Sequence, residues 1–122
     1  MAAILVIEDV QTEAVVLTGY LRQAGFQVAT ATSAEEAKQA VSQAKFDLIL
    51  MDVVLPGESG YEFCRALKKD PATANIPVIF CSSKASEMDR FWGMKQGAAA
   101  YLVKPVDQTE LIQTVKVLTA RA

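Results

Sequence analysis

Histidine is absent from this 122-residue chain. That absence excludes Ser-His-Asp and Cys-His catalysis, HExxH zinc sites, imidazole-ligated haem and pH switching through imidazole. Cysteine is scarce. Cys64 and Cys81 lie far apart in apolar contexts, which fits neither a CxxC redox pair nor a zinc knuckle, so buried free thiols in a reducing compartment are expected. There is no basic surplus either: Lys and Arg total 12, Asp and Glu 14, and the net charge is −2. Nothing in that balance attracts a phosphate backbone over a broad face, so no nucleic-acid partner is expected. No apolar run is long enough to cross a bilayer, and the start, MAAILVIED, has no basic n-region and ends in two acids. A cytoplasmic protein without membrane insertion is the expectation. The glycine-rich nucleotide fingerprints GxGxxG and GxxxxGKS/T are also missing.

What is present is apolar and patterned. A hydrophobic share of 52% beside 21% charged residues describes a chain with a core rather than a disordered one. Its length is near the commonest domain size, so residues 1–122 are expected to form one domain with no effector domain attached. Short β-like runs alternate with amphipathic stretches throughout. The runs are Ala2 to Ile7, Phe26 to Ala31, Asp47 to Met51, Pro77 to Cys81 and Ala100 to Val103. The first helix, from about Thr12 to Ala24, puts Ala14, Leu17, Leu21 and Ala24 on one stripe, and Gly25 stops it. Ser33 with Glu36, Ser59 with Glu62, Ser86 with Asp89 and Asp107 with Glu110 mark four more helix starts. The runs read as strands covered on both faces, which predicts a parallel five-stranded α/β sandwich, (βα)5, doubly wound.

Polar residues follow the strands: Glu8 and Asp9 after the first, Asp52 after the third, Ser82, Ser83 and Lys84 after the fourth, Lys104 and Pro105 after the fifth. Right-handed crossovers bring these ends to one edge of the sheet, where ligands of open α/β folds bind. Three carboxylates within ~5 Å would repel by on the order of 3 kcal/mol per pair at an effective dielectric of about 20. Lys104 offsets part of this, and a hard divalent cation, Mg2+ or else Mn2+, would offset more. Such an edge suits phosphoryl transfer, with Asp52 as nucleophile forming an aspartyl phosphate.

These residues, with the stretches MDVVLPGESG, IPVIFCSS and GAAAYLVKP, resemble the receiver domains of two-component response regulators (CheY-like) over essentially the whole chain. The resemblance implies the flavodoxin-like strand order 2-1-3-4-5, for which CheY is a standard example. It implies Asp52 as phosphoacceptor, and Asp9, Asp52 and the Val54 backbone carbonyl as Mg2+ ligands, with Glu8 acting through water. Ser82 is implied as switch hydroxyl, Lys104 as phosphate-binding lysine before a cis Pro105, and Tyr101 as rotamer switch. Val54 and Lys84 would tune autodephosphorylation, and the face of the fourth helix, fifth strand and fifth helix would meet the output protein. Phosphoryl donors would be a histidine kinase or a His-containing phosphotransfer protein, and the chain itself a monomer or weak dimer. Its only enzymatic activity would be phosphorylating itself and hydrolysing the product. The stretch FWGMKQGAAAYLVKPVD is similar to stand-alone regulators of type IV pilus twitching motility and phototaxis.

Taken singly, these residues have plainer readings. Asp9 alone is a helix cap, Asp52 alone a turn residue before Pro56-Gly57, and Ser82 a turn serine. Gly57 and Gly60 shape the turn into the third helix. Trp92 projects about 100° from Phe91 on its helix. It is either partly buried against a neighbouring helix, with Met88 and Phe91 already supplying apolar contacts, or an exposed anchor for a partner beside Tyr101. Gly93 lowers the stability of that helix by about 1 kcal/mol and eases repacking. A receiver-like interaction module independent of phosphorylation is the main competing function. A haloacid-dehalogenase-type phosphohydrolase fits poorly, because its first strand should end Asp-x-Asp-x-Thr/Val and this one ends Glu8-Asp9-Val10.

Overall fold

The computed structural model describes residues 1–120. Five strands and five helices alternate: β1 (Ala3–Ile7), α1 (Gln11–Gln23), β2 (Gln27–Ala31), α2 (Ala34–Gln43), β3 (Leu48–Met51), α3 (Gly60–Lys69), β4 (Val78–Ser82), α4 (Glu87–Lys95), β5 (Ala100–Val103) and α5 (Gln108–Thr119). All pairings are parallel and the sheet order is β2-β1-β3-β4-β5. Successive strand side chains point to opposite faces, and this alternation divides the core. Ile4, Val6, Leu48, Leu50, Ile79 and Cys81 pack with Leu17 and Leu21 of α1 and Leu111 and Val115 of α5. Leu5, Ile7, Ile49, Met51, Val78 and Phe80 pack with Ala34 and Ala37 of α2 and Phe63, Cys64 and Leu67 of α3.

The expectation of strands covered on both faces holds for β3 and β4, which are buried at every residue, and nearly so for β1. It does not hold for β2, where only Ala31 is buried, or for most of β5. Both are edge strands with a single neighbour, so less of their surface is covered.

Helix starts follow the sequence pattern, with local differences. Ser59 with Glu62 and Ser86 with Asp89 form complete capping boxes. At α2 the Ser33 hydroxyl accepts from the Glu36 N–H, but the Glu36 carboxylate reaches back to Thr32 instead. Asp107 caps α5 by accepting from the Glu110 N–H. The α1 N-cap is Val10, without a side-chain cap, so Asp9 is not the capping acid. Gly25 takes the positive φ, 95°, that ends this helix region. Both cysteines are buried and free, and burial pushes the Cys64 thiol up to about 11 and the Cys81 thiol higher still.

The fourth helix departs most from expectation. Met88 and Phe91 are exposed rather than packed, and Gly93 is the buried residue of α4. A Cβ at Gly93 would lie 2.8 Å from the Tyr101 ring and 3.2 Å from that of Phe80. The missing side chain therefore lets α4 sit directly on the aromatic layer of Tyr61, Phe80 and Tyr101.

Candidate functional site: an acidic cleft around Lys104

Strand register builds the site. Ile7 pairs with Met51, so Glu8 and Asp52 leave adjacent strands at the same level. Ser82 pairs with Val103, and the Lys104 N–H donates to the Ser82 carbonyl at 2.9 Å. Lys104, followed by a cis bond to Pro105, points its ammonium between the acids. Its Nζ donates to Glu8 Oε1 at 2.6 Å and to Asp52 Oδ2 at 2.7 Å, and it pairs with Glu13 Oε1 as well. Glu8 and Asp52 are buried.

Burial raises the Glu8 carboxyl, against hydrogen bonds from Lys104 and the Val10 N–H and the Lys104 charge, which lower it; the Asp52 charge raises it further. For Lys104, burial works toward a lower value, but hydrogen bonds to Asp52, Glu13 and Glu8 prevail and hold the ammonium above its ordinary range. Its folded value lies above the unfolded 10.5, so the stability it contributes is fully present below pH 10.5 and is lost only as pH rises through the folded value.

Glu8, Glu13 and Asp52 each present a carboxylate oxygen, all within 4.8 Å of one another. Those oxygens face the Lys104 ammonium, and with Asp9 at the rim of the same cleft the carboxylates make an all-oxygen donor set of the kind a hard cation such as Mg2+ takes. The third acid of the cluster is thus Glu13, from the first turn of α1, where the sequence pointed to Asp9. Asp9 is exposed and lines the cleft above the cluster, a cavity of about 700 Å3 that also includes Val10, Val54, Ser83 and Pro105. Glu13 was missed because an acid in a first helical turn reads as a favourable partner of the helix dipole. Only the fold brings it to Lys104.

The remaining predicted residues flank this centre. Val54 is exposed, and its N–H donates to Asp52 Oδ1 at 3.2 Å. Ser82 is fully buried, and its hydroxyl accepts from the Lys84 N–H at 3.2 Å. The Tyr101 hydroxyl donates to the Lys84 carbonyl at 2.6 Å. Lys84 therefore joins Ser82 to Tyr101 through its backbone, while its side chain is solvent-exposed. Trp92 is 47% exposed, edge-on to Phe91, and forms an apolar surface with Met88 and Phe91.

A buried carboxylate pair bridged by a lysine, at the C-terminal edge of a 2-1-3-4-5 sheet, defines a phosphoacceptor-type α/β domain. Residues 4–116 match the response regulator receiver domain, and the chain belongs to that family. It is 42% identical to protein PilH of Pseudomonas aeruginosa over 120 residues, covering 98% of this chain and 99% of that one. It is 37% identical to the phosphate regulon transcriptional regulatory protein PhoB of Rhizobium meliloti, where the match spans 52% of the longer protein. Among solved structures, CheY4 of Vibrio cholerae superposes with a TM-score of 0.89 at 29% identity, covering 97% of this chain and 98% of that one. The receiver domain of a Pseudomonas aeruginosa sensor histidine kinase, with magnesium coordinated in its active-site cleft, gives a TM-score of 0.89 at 27% identity over 97% of each chain. Receivers in general are phosphorylated by histidine kinases or phosphotransfer proteins and bind Mg2+ at an acidic pocket.

Proposed function

We propose that this chain is a stand-alone phosphorylation switch that accepts a phosphoryl group on Asp52 and changes its binding to a protein partner through α4, β5 and α5. The observation that carries the reading is the Lys104 ammonium held between Glu8 and Asp52. In the transfer, an Asp52 carboxylate oxygen forms a bond to phosphorus as the donor's bond breaks. The leaving group, a histidine nitrogen or acetate, departs with the electron pair of that bond. Lys104 holds a phosphoryl oxygen. Asp9, Asp52 and the Val54 carbonyl, with Glu8 through water, are the residues to hold Mg2+, which when bound supplies neutralisation of phosphoryl charge. Glu8 and Lys104 keep the carboxylate of Asp52 oriented toward the cleft.

Ser82 leaves the Lys84 N–H for a phosphoryl oxygen, and that movement draws on the segment whose carbonyl holds the Tyr101 hydroxyl. Tyr101, whose ring already packs against Phe80 with its hydroxyl on the Lys84 carbonyl, is then fixed in that inward position, and α4 with its exposed Trp92 repacks. Two states close in energy suffice, because phosphate makes differential contacts in one of them. The nearly end-to-end match to PilH supports action without an effector domain, and with the pilus-regulator-like segment around Trp92 it favours motility as the output.

Beryllofluoride, a phosphoryl mimic on carboxylates, tests the switch. Added with Mg2+, it is expected to change Trp92 emission in the wild type and leave that of Asp52→Asn unaltered. Silence in both proteins would favour an interaction module independent of phosphorylation.

Val54 sets the lifetime of the phosphorylated state. An apolar side chain beside Asp52 offers no hydrogen bond to an attacking water, so self-hydrolysis is slow. Val54→Asn supplies that bond and is expected to accelerate loss of the phosphoryl group by about five- to tenfold, the worth of one good hydrogen bond. Decay of the adduct by intact mass after desalting measures it, and an unchanged or slower decay would contradict the assignment.

A further inference from the structure

An ammonium has three N–H donors, and at Lys104 they face three carboxylates: Glu8, Asp52 and Glu13. On the phosphoacceptor reading above, on which this inference rests, one of those donors must turn to a phosphoryl oxygen while Asp52 is still an anion about to attack. The three acids differ in their freedom to yield. The Glu8 side chain is 1% exposed, with Oε2 accepting from the Val10 N–H at 3.2 Å, and that of Asp52 is 11% exposed, with Oδ1 accepting from the Val54 N–H at 3.2 Å. Glu13 is 41% exposed, on the solvent side of the first turn of α1, and lines the same cleft as Asp52 and Val54. It can swing into water without leaving a buried charge behind.

We infer that Glu13 is a displaceable anionic plug: it occupies the Lys104 donor that the incoming phosphoryl group needs and repels that group's negative charge, so that it slows phosphoryl uptake. Glu13 takes no part in bond making. It is a positioning residue that holds Lys104 in the unphosphorylated arrangement and is released when phosphate arrives.

The test compares wild type, Glu13→Gln and Glu13→Ala in Mg2+-dependent uptake from acetyl phosphate, followed by intact mass. In the reaction the Asp52 oxygen takes the phosphoryl group and acetate leaves with the electron pair of the broken bond. Both variants are expected to take up phosphate faster, Glu13→Ala by about two- to fivefold, the range for a partly exposed ion pair. The gap should narrow as ionic strength rises, because exposed charges are screened; a merely structural effect would be indifferent to salt. Calorimetric titration with Mg2+ alone should give the variants an affinity equal to wild type or higher. Uptake that is unchanged or slower overturns the inference, as does a gap independent of salt. Weakened Mg2+ binding in the variants overturns it too, by making Glu13 a metal ligand. If the wild type itself takes up no phosphoryl group, the phosphoacceptor reading has failed and the plug fails with it.

Discussion

Lys104→Ala is expected to lower stability at neutral pH by about 3 kcal/mol, because it leaves buried carboxylates without their cation. At this chain length that corresponds to a fall in melting temperature of about 10 °C. Glu8 and Asp52 are both buried and both bond to Nζ, so neither recovers full hydration when the ammonium is removed. The deficit should depend on pH in a definite direction. Burial already raises the Glu8 carboxyl above 4.5, and the hydrogen bond and charge of Lys104 are what oppose this. Without Lys104 the folded value rises further. A carboxyl whose folded value exceeds its unfolded one binds protons more readily in the folded state, so its penalty is absent below the unfolded value, grows as pH rises above that value and is complete above the folded one. Urea unfolding of wild type and variant should show a smaller difference near pH 4.5 than at pH 7. Mg2+ at pH 7 should restore part of it, since an ion that binds only the folded state stabilises that state. Equal deficits at both pH values would mean that Lys104 contributes through packing of its stem and not through its charge.

Gly60→Ala should be as damaging, by another route. Gly60 opens α3, is buried, and donates its N–H to the Val53 carbonyl at 2.8 Å. A Cβ there would stand 2.3 Å from the Asp52 carbonyl oxygen and 3.0 Å from the Val53 Cα. Both are backbone atoms of the segment carrying Asp52, so no side chain can rotate out of the way. Overpacking of this kind costs about 3 kcal/mol at the upper end of its range. Relief requires α3 to move away from the end of β3, and the Asp52 carboxylate would shift relative to Lys104. Loss of both thermal stability and phosphoryl uptake is the expected result, read by calorimetry and intact mass. Gly19→Ala is the control: that glycine lies exposed in α1 with nothing within 4 Å of a new Cβ, and the change should stabilise by about 0.5–1 kcal/mol. A Gly60→Ala protein as stable and active as wild type would show that the turn holding Asp52 is compliant.

Much of this arrangement is legible in the sequence because the dominant signals are local. The apolar runs ending in Ile7, Met51 and Cys81 mark central strands, and strand ends on one edge of a parallel sheet bring Glu8, Asp52 and Lys104 together whatever the loops do. Ser59 and Ser86 announce α3 and α4 through caps that involve only neighbouring residues. The features that escaped depend on packing distance. Glu13 belongs to the site only because α1 leans over the ends of β1 and β3, and its reach to Lys104 spans most of the chain. Met88 and Phe91 have the composition of core residues but lie exposed, because α4 meets the aromatic layer through the bare backbone of Gly93. Edge position, a property of the sheet order and not of the strand itself, leaves β2 open to solvent.

The missing histidine acquires a direction from Asp52. Receivers are phosphorylated by histidine kinases or phosphotransfer proteins, and none of the 122 residues given is a histidine that could carry the phosphoryl group to Asp52. Intact mass spectrometry of wild type and Asp52→Asn after incubation with acetyl phosphate, with Mg2+ and with a chelator, tests the central claim most directly. One phosphoryl group on the wild type, dependent on Mg2+ and absent from Asp52→Asn, is the expected result. No adduct on the wild type under conditions that label another receiver, or an adduct that persists in Asp52→Asn, would contradict it.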